Sequence, residues 1–167
     1  MTRWLLVAAL GSALAGCGFH LRGQATLPFD TMYVQVAPSS PFGNELKRAI
    51  RGGSKTQLTE KPEGAEAVLA ILGEAREKSI LSLGGGGRVR EFQLRYRITF
   101  RVTDPKLTKE YVPASEILLK RDFSFNDSEV LAKETEEQLL FRDMQSDAVQ
   151  QLMRRLEAAS RLADVKG

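Results

Sequence analysis

Of cysteine, histidine and tryptophan, the 167 residues contain one each. A single cysteine excludes an intramolecular disulfide framework and any multi-thiolate metal site. A lone histidine, His20, excludes a multi-histidine metal centre and leaves a poor basis for a catalytic triad. There is no Gly-x-Ser-x-Gly elbow and no His-Glu-x-x-His pair. After residue 13, no apolar run approaches the roughly 20 residues that a membrane-spanning helix needs. Charge of one sign is also scarce: 24 Lys+Arg against 21 Asp+Glu give +3, too little to indicate nucleic acid. Neighbouring carboxylates such as Glu136-Glu137 fall on a stretch of helical period and read as solvated surface. These absences argue against an enzyme, and the expected cofactor and metal complement is none.

What is present begins at the N-terminus. Arg3 precedes an apolar run from Trp4 to Ala13, and Leu14-Ala15-Gly16 leads directly to Cys17. Ten apolar residues are too few to cross about 30 Å of hydrocarbon. A basic start, a short apolar centre and small residues at the exit describe a secretory signal. A cysteine directly after Leu-Ala-Gly resembles the lipobox of bacterial lipoproteins, in which the thiol is acylated and the peptide cut before it. An ordinary signal peptide with a stray cysteine is the other reading. The expected organisation is a signal over residues 1–16, lipidation at Cys17, and one domain with a lipidated leader over 17–167. Two or three acyl chains, at about 0.8 kcal/mol per buried CH₂, hold a soluble domain at a membrane essentially permanently. Gly18, not aspartate, follows the cysteine, and by resemblance to enterobacterial sorting this implies the periplasmic face of the outer membrane. Nucleic acid is no plausible partner there.

Beyond the leader the periods are legible. Met32 to Val36 alternates and is β-branched, a first strand. Ser40 followed by Pro41 reads as a helix start, Leu46, Ala49 and Ile50 mark one face, and Gly52-Gly53 stops it. Residues Lys55 to Ala65 read as a linker, and Glu66 to Leu83 as a long strand with a charged middle. After Gly84-Gly85-Gly86-Gly87, six apolar residues from Phe92 to Val102 alternate with polar ones, a strand with one buried face. Tyr111 to Phe125 is a further strand. From Glu134, Phe141, Met144, Ala148, Leu152, Leu156 and Ala159 recur at helical spacing, and Asp127 or Ser128 is the expected cap of an early turn. Glu136, Glu137, Asp143 and Arg154 are left for water. The order β-α-β-β-β-α predicts an α+β two-layer sandwich, two helices on a four-stranded mixed sheet.

Gly84 to Gly87 lack the Lys-Ser/Thr of a phosphate loop and connect strand to strand, so they read as a mobile hairpin tip. Arg88 and Arg90 stand beside it, while Arg95, Arg97 and Arg101 share the strand face opposite the apolar one. Such a stripe reads either as a solvated face or as guanidinium groups for phosphates. On an outer-membrane lipoprotein the abundant phosphorylated ligand is lipopolysaccharide.

Gly16-Cys17-Gly18-Phe19-His20-Leu21-Arg22, Glu91-Phe92-Gln93-Leu94, Phe123-Ser124-Phe125-Asn126-Asp127 and Leu131-Ala132-Lys133-Glu134 together resemble the LptE family of lipopolysaccharide-assembly lipoproteins. The resemblance runs through essentially the whole mature chain. It implies a two-helix, four-stranded sandwich inside the lumen of the outer-membrane β-barrel LptD. There the domain would act as plug and assembly factor and bind lipopolysaccharide during delivery to the outer leaflet. Lys133 stands where family members commonly carry a lysine. The lipopolysaccharide contact is therefore expected at Arg88, Arg90 and Lys133, although the four-glycine tip departs from the enterobacterial pattern. A free-standing periplasmic lipoprotein that binds a lipid or cell-wall ligand is the alternative.

Overall fold

The computed structural model of the chain describes residues 26–164, with side chains through residue 159. The expected signal, Cys17 and His20 lie outside the described residues. Strand β1 spans Thr31–Gln35, helix α1 Pro41–Gly53, β2 Gln57–Leu58, β3 Ala67–Leu83, β4 Val89–Thr103, β5 Glu110–Ser124 and helix α2 Val130–Asp164. The sheet order is β2-β1-β3-β4-β5, parallel where β1 meets its two neighbours and antiparallel through the β3–β4–β5 meander. This is the expected α+β sandwich with one strand more than the four expected. The extra strand is β2, two residues inside the stretch read as a linker. Gln57 N–H donates to Asp30 O at 2.9 Å and Thr59 N–H to Met32 O at 2.9 Å. A pair that short has no period to detect.

Local chemistry explains α1. Ser40 Oγ accepts from Gly43 N–H at 3.0 Å, Pro41 occupies the first turn, and Ser54 N–H closes on Ile50 O. Phe42, Leu46 and Ile50, one turn apart, are buried. A Cβ on Gly43 would stand 2.6 Å from Val36 Cγ1, so only glycine lets this turn lie on the end of β1.

The period-two reading of β4 holds without exception. Leu94, Tyr96, Ile98, Phe100 and Val102 are fully buried, and the residues between them face the other way. Each such side chain contributes on the order of 1.5–3 kcal/mol. Both helices cover this face, α2 through Met144, Ala148, Val149, Leu152, Leu156 and Ala159.

Helix α2 begins at Val130, four residues before the expected Glu134, and the cap is neither Asp127 nor Ser128. Asn126 Oδ1 accepts from Ser128 N–H at 3.2 Å and starts a 3₁₀ turn over Asp127–Glu129 that feeds the helix. Val130 and Leu131 are exposed, so the first turn carries no apolar stripe to read. Glu137 is not left to water: it binds Lys78 Nζ at 2.5 Å. Among the described residues no helix is long and apolar enough to cross a membrane.

The sheet has two unlike halves. In the proximal half, where the chain enters, β1 pairs with Ala67 to Ala70 of β3. Beyond Ile71, β3 is a free edge, with register shifts at Ile71/Gly73 and Ile80/Ser82. Its helix-facing positions there are Glu74, Arg76 and Lys78, opposite Ile98, Tyr96 and Leu94. Fifteen residues of β4 place the distal tip on the order of 50 Å from the proximal end.

Candidate functional site

The distal tip closes through Gly84 N–H to Arg88 O at 2.8 Å and Gly87 N–H to Gly84 O at 3.3 Å. Gly86 and Gly87 have φ of 78° and 75°, the left-handed region that a Cβ disfavours. The glycines thus form a defined turn, and they leave the tip without side chains. Arg88 and Arg90 are exposed directly after it. Neither makes an ion pair within 4 Å among the described residues. The nearest acid in sequence, Glu91, accepts from Ser82 Oγ at 2.6 Å.

Strand β5 returns to this end. Phe125 N–H donates to Arg90 O at 2.8 Å, and Ser124 pairs with Glu91. Phe92 meets Phe123 with ring centroids 5.8 Å apart and Phe125 at 5.1 Å edge-on. Lys78 Nζ lies 4.2 Å from the Phe92 centroid. These rings pack the ends of β4 and β5 together, and Lys133 of α2 reaches the same end of the sheet through Ser124. Lys133 Nζ donates to Ser124 Oγ at 3.2 Å and contacts Glu136 Oε2 at 2.8 Å, with its side chain only 14% exposed. The structure therefore brings Lys133 to the same end of the sheet as Arg90, but with its ammonium already paired.

The arginine stripe is a partly neutralised sheet face. Arg97 lies between Glu77 at 3.9 Å and Glu116 at 3.5 Å, and Arg95 Nε donates to Gln93 Oε1 at 2.9 Å. The Nε atoms of Arg97 and Arg101 are shielded from solvent without a hydrogen-bond acceptor. Of the two readings, the geometry favours a structural face there, half-buried, whereas Arg88 and Arg90 are exposed and without an ion pair among the described residues.

Sequence reasoning missed the apolar half of the tip. Ile80, Leu81 and Leu83 on β3 and Val130 and Leu131 on α2 are exposed. The signal was Ile80-Leu81-Ser82-Leu83 itself, an apolar run that follows a charged middle and so lies past the point where a core can continue. Two unpaired guanidinium groups beside exposed aliphatic side chains suit a ligand with both phosphate and hydrocarbon.

Electrostatics away from the tip is structural. Burial, and then its hydrogen bond to Glu74, push the Tyr96 hydroxyl well above its ordinary range. The Lys109 N–H, with help from Thr108 and Lys106, holds the Asp104 carboxyl below the usual carboxylate range. Burial likewise raises Tyr111. Among the described residues no group of three His, Cys, Asp or Glu side chains converges as a metal site.

Comparison with known proteins follows the same course. The family profile described as LptE, lipopolysaccharide-assembly, matches residues 29–156. The LPS-assembly lipoprotein LptE of Photorhabdus laumondii is 30% identical over 162 residues, 93% of this chain and 87% of that protein. Its Yersinia enterocolitica counterpart is 31% identical over 163 residues, 93% of this chain and 77% of that protein. Among solved structures, an uncharacterized lipoprotein B from Nitrosomonas europaea is 42% identical with a TM-score of 0.73, covering 84% of this chain and 91% of that one. The rare lipoprotein B of Shewanella oneidensis, 22% identical with a TM-score of 0.69 over 82% of this chain and 99% of that one, shares the fold.

Proposed function

Because the chain belongs to the LptE family of lipopolysaccharide-assembly lipoproteins, a component of the Gram-negative outer-membrane machinery, we propose a specific role for it. It is tethered through acylated Cys17 to the periplasmic face of the outer membrane, seats in the LptD β-barrel as plug and assembly factor, and receives lipopolysaccharide at its distal tip. The role is binding and assembly, without catalysis. The observation that carries the tip assignment is the pair Arg88 and Arg90, exposed, free of ion pairs among the described residues and set beside exposed Ile80, Leu81 and Leu83. Lys133, held by Glu136, stands behind them as a secondary charge that a multivalent anion can draw from its partner.

Charge-assisted contacts contribute about 1.5–3 kcal/mol each when partly desolvated and almost nothing when fully solvated. Replacing Arg88, Arg90 and Lys133 together by glutamine is therefore expected to weaken lipopolysaccharide binding at least about tenfold at physiological salt, with the fold intact. The control is the triple glutamine variant of Lys47, Arg48 and Arg51 on α1, which removes the same formal charge elsewhere. Equal binding by tip variant and wild type would sink the site. Equal weakening by the control would show attraction by net charge alone.

Barrel association has its own readout. Mild-detergent purification should recover a stoichiometric complex with one large barrel, across an interface above roughly 2,000 Å². Depletion should lower the amount of correctly assembled barrel. Recovery of the lipoprotein alone, with barrel levels unchanged, would favour the free-standing lipid or cell-wall binder. Cys17→Ala should abolish acylation while leaving the domain folded, since the described fold is built entirely downstream of it.

A further inference from the structure

Midway along the helix face, well away from the tip, lies an open cleft of about 330 Å³. It is lined by Pro41 of α1, Arg76 of β3, and Gln138, Phe141, Arg142 and Gln145 of α2. Two guanidinium groups, two primary amides and one aromatic ring converge there, and no carboxylate is among the lining residues.

Arg76 is held in place before any ligand arrives. Its Nη2 donates to Gln145 Oε1 at 2.9 Å, and Gln145 is in turn fixed by Nε2 donating to Glu45 Oε2 at 2.6 Å. The guanidinium lies 5.4 Å from the Tyr96 ring centroid and 5.7 Å from that of Phe141. Glu74, 3.8 Å away, neutralises it only in part, because the same carboxylate accepts from Tyr96 Oη at 2.7 Å and Ser40 Oγ at 2.9 Å. Yet the Arg76 side chain remains 43% exposed. Arg142, exposed on the next element, makes no ion pair among the described residues. Glu45 is taken up by Gln145 and Ser146, and Glu137 by Lys78. The acids around the cleft are engaged by other groups, Arg76 is only partly neutralised, and Arg142 has no ion pair among the described residues.

We propose that this cleft binds an acidic sugar, a saccharide unit carrying phosphate or carboxylate. The guanidinium forks of Arg76 and Arg142 match such an anion bidentately. The amide of Gln138 meets ring hydroxyls, Gln145 fixes Arg76 from behind, and Phe141 offers an apolar surface to the sugar ring. The volume falls at the low end of the roughly 300–1,000 Å³ of small-molecule clefts, suited to one or two rings and not to a lipid. This deepens the lipopolysaccharide reading and rests on it for the source of the sugar. Arg76 pairs with Tyr96, eight residues along β4 from Arg88, on the order of 25 Å from the tip. A single molecule can present its lipid phosphates to the tip and an acidic sugar of its core to the cleft.

The experiment titrates delipidated, phosphorylated inner-core oligosaccharide into the detergent-solubilised lipoprotein, beside intact lipopolysaccharide, inorganic phosphate and the dephosphorylated oligosaccharide. Arg142→Gln, on an exposed side chain, spares the fold, and Gln138→Ala probes the sugar contact separately. Wild type should bind the phosphorylated oligosaccharide. Arg142→Gln should weaken it about tenfold, Gln138→Ala by a smaller factor, and the Arg88→Gln/Arg90→Gln variant not at all. Equal affinity of Arg142→Gln and wild type would overturn the cleft, as would equal weakening by the tip variant. Inorganic phosphate competing as well as the oligosaccharide would also overturn it, because the amide and the ring would then read nothing. Binding of intact lipopolysaccharide without binding of the oligosaccharide defeats the cleft alone. Binding of neither defeats the lipopolysaccharide reading as well.

Discussion

The proximal and distal halves of the sheet share three strands and one helix, and they are held by different physics. Around Met32, Leu69, Phe100 and Leu152 the proximal half is a dry core covered by two helices. From Gly73 onward β3 has no neighbour on one side, and its helix-facing row turns to Glu74, Arg76 and Lys78. Ion pairs and cation–π contacts replace aliphatic packing there, with Lys78 set between Glu137 and Phe92. Exposed charge pairs contribute about 0–1 kcal/mol, far less than buried aliphatic contacts. The proximal half thus carries stability, while the distal half holds the exposed bases and exposed aliphatic groups at which the ligand is proposed to bind.

The largest expected effect tests that division directly. Phe100→Ala, at a fully buried position, should cost about 3–5 kcal/mol through lost burial and a residual cavity. Ile80→Ser, on a distal side chain 56% exposed, should fall within about 0.5 kcal/mol. Urea unfolding of both variants reads the contrast. A comparable loss from Ile80→Ser would mean that the distal edge is part of the folding core.

A smaller effect separates the halves at their junction. Tyr96 is buried in the β4 row, yet its hydroxyl reaches Glu74 on the polar side. Burial first, and Glu74 second, raise its ionisation above the ordinary value of about 10. In the folded state the phenol keeps its proton where the unfolded chain has begun to lose it. Its contribution is therefore complete below about pH 10 and declines as pH rises beyond that. Wild type should lose stability between pH 10 and 11 more steeply than Tyr96→Phe, followed as urea midpoints. Parallel curves would show that the phenol is not the group that titrates.

Legibility in the sequence followed the same boundary. Strand β4 announced itself because burial alternates strictly from Leu94 to Val102, and the middle of α2 did so because one face packs on a core. Where the chain packs on little, the sequence was mute. The start of α2 is exposed at Val130 and Leu131, and β2 is too short for a period. The tip was legible as glycines followed by arginines, but the pairing of Lys133 with Glu136 is a matter of rotamer and not of pattern. The cleft at Arg76 was not visible at all. Its residues come from three elements, and only the fold brings Arg76 to Gln145, 69 positions away.

The smallest expected effect concerns the two turns that cap the antiparallel sheet at opposite ends. At the distal turn the left-handed positions are glycines, Gly86 and Gly87. At the proximal turn the left-handed position is Leu107, with φ of 57°. Asp104 holds that turn, accepting from Lys109 N–H at 2.6 Å and Thr108 Oγ1 at 2.8 Å. A residue with a Cβ loses roughly 1–2 kcal/mol in this conformation, and asparagine tolerates it better than leucine. Leu107 is 66% exposed, so its side chain recovers little of that cost by burial. Leu107→Asn should therefore stabilise the domain by about 0.5–1 kcal/mol, read as a shift in urea midpoint. Gly86→Ala at the other end should destabilise by a similar amount, because it places a Cβ where none now stands. An unchanged or lower midpoint for Leu107→Asn would show that the leucine makes up its strain through contacts that its exposure hides. It would also remove the asymmetry in which strain sits at the proximal turn and freedom at the distal one.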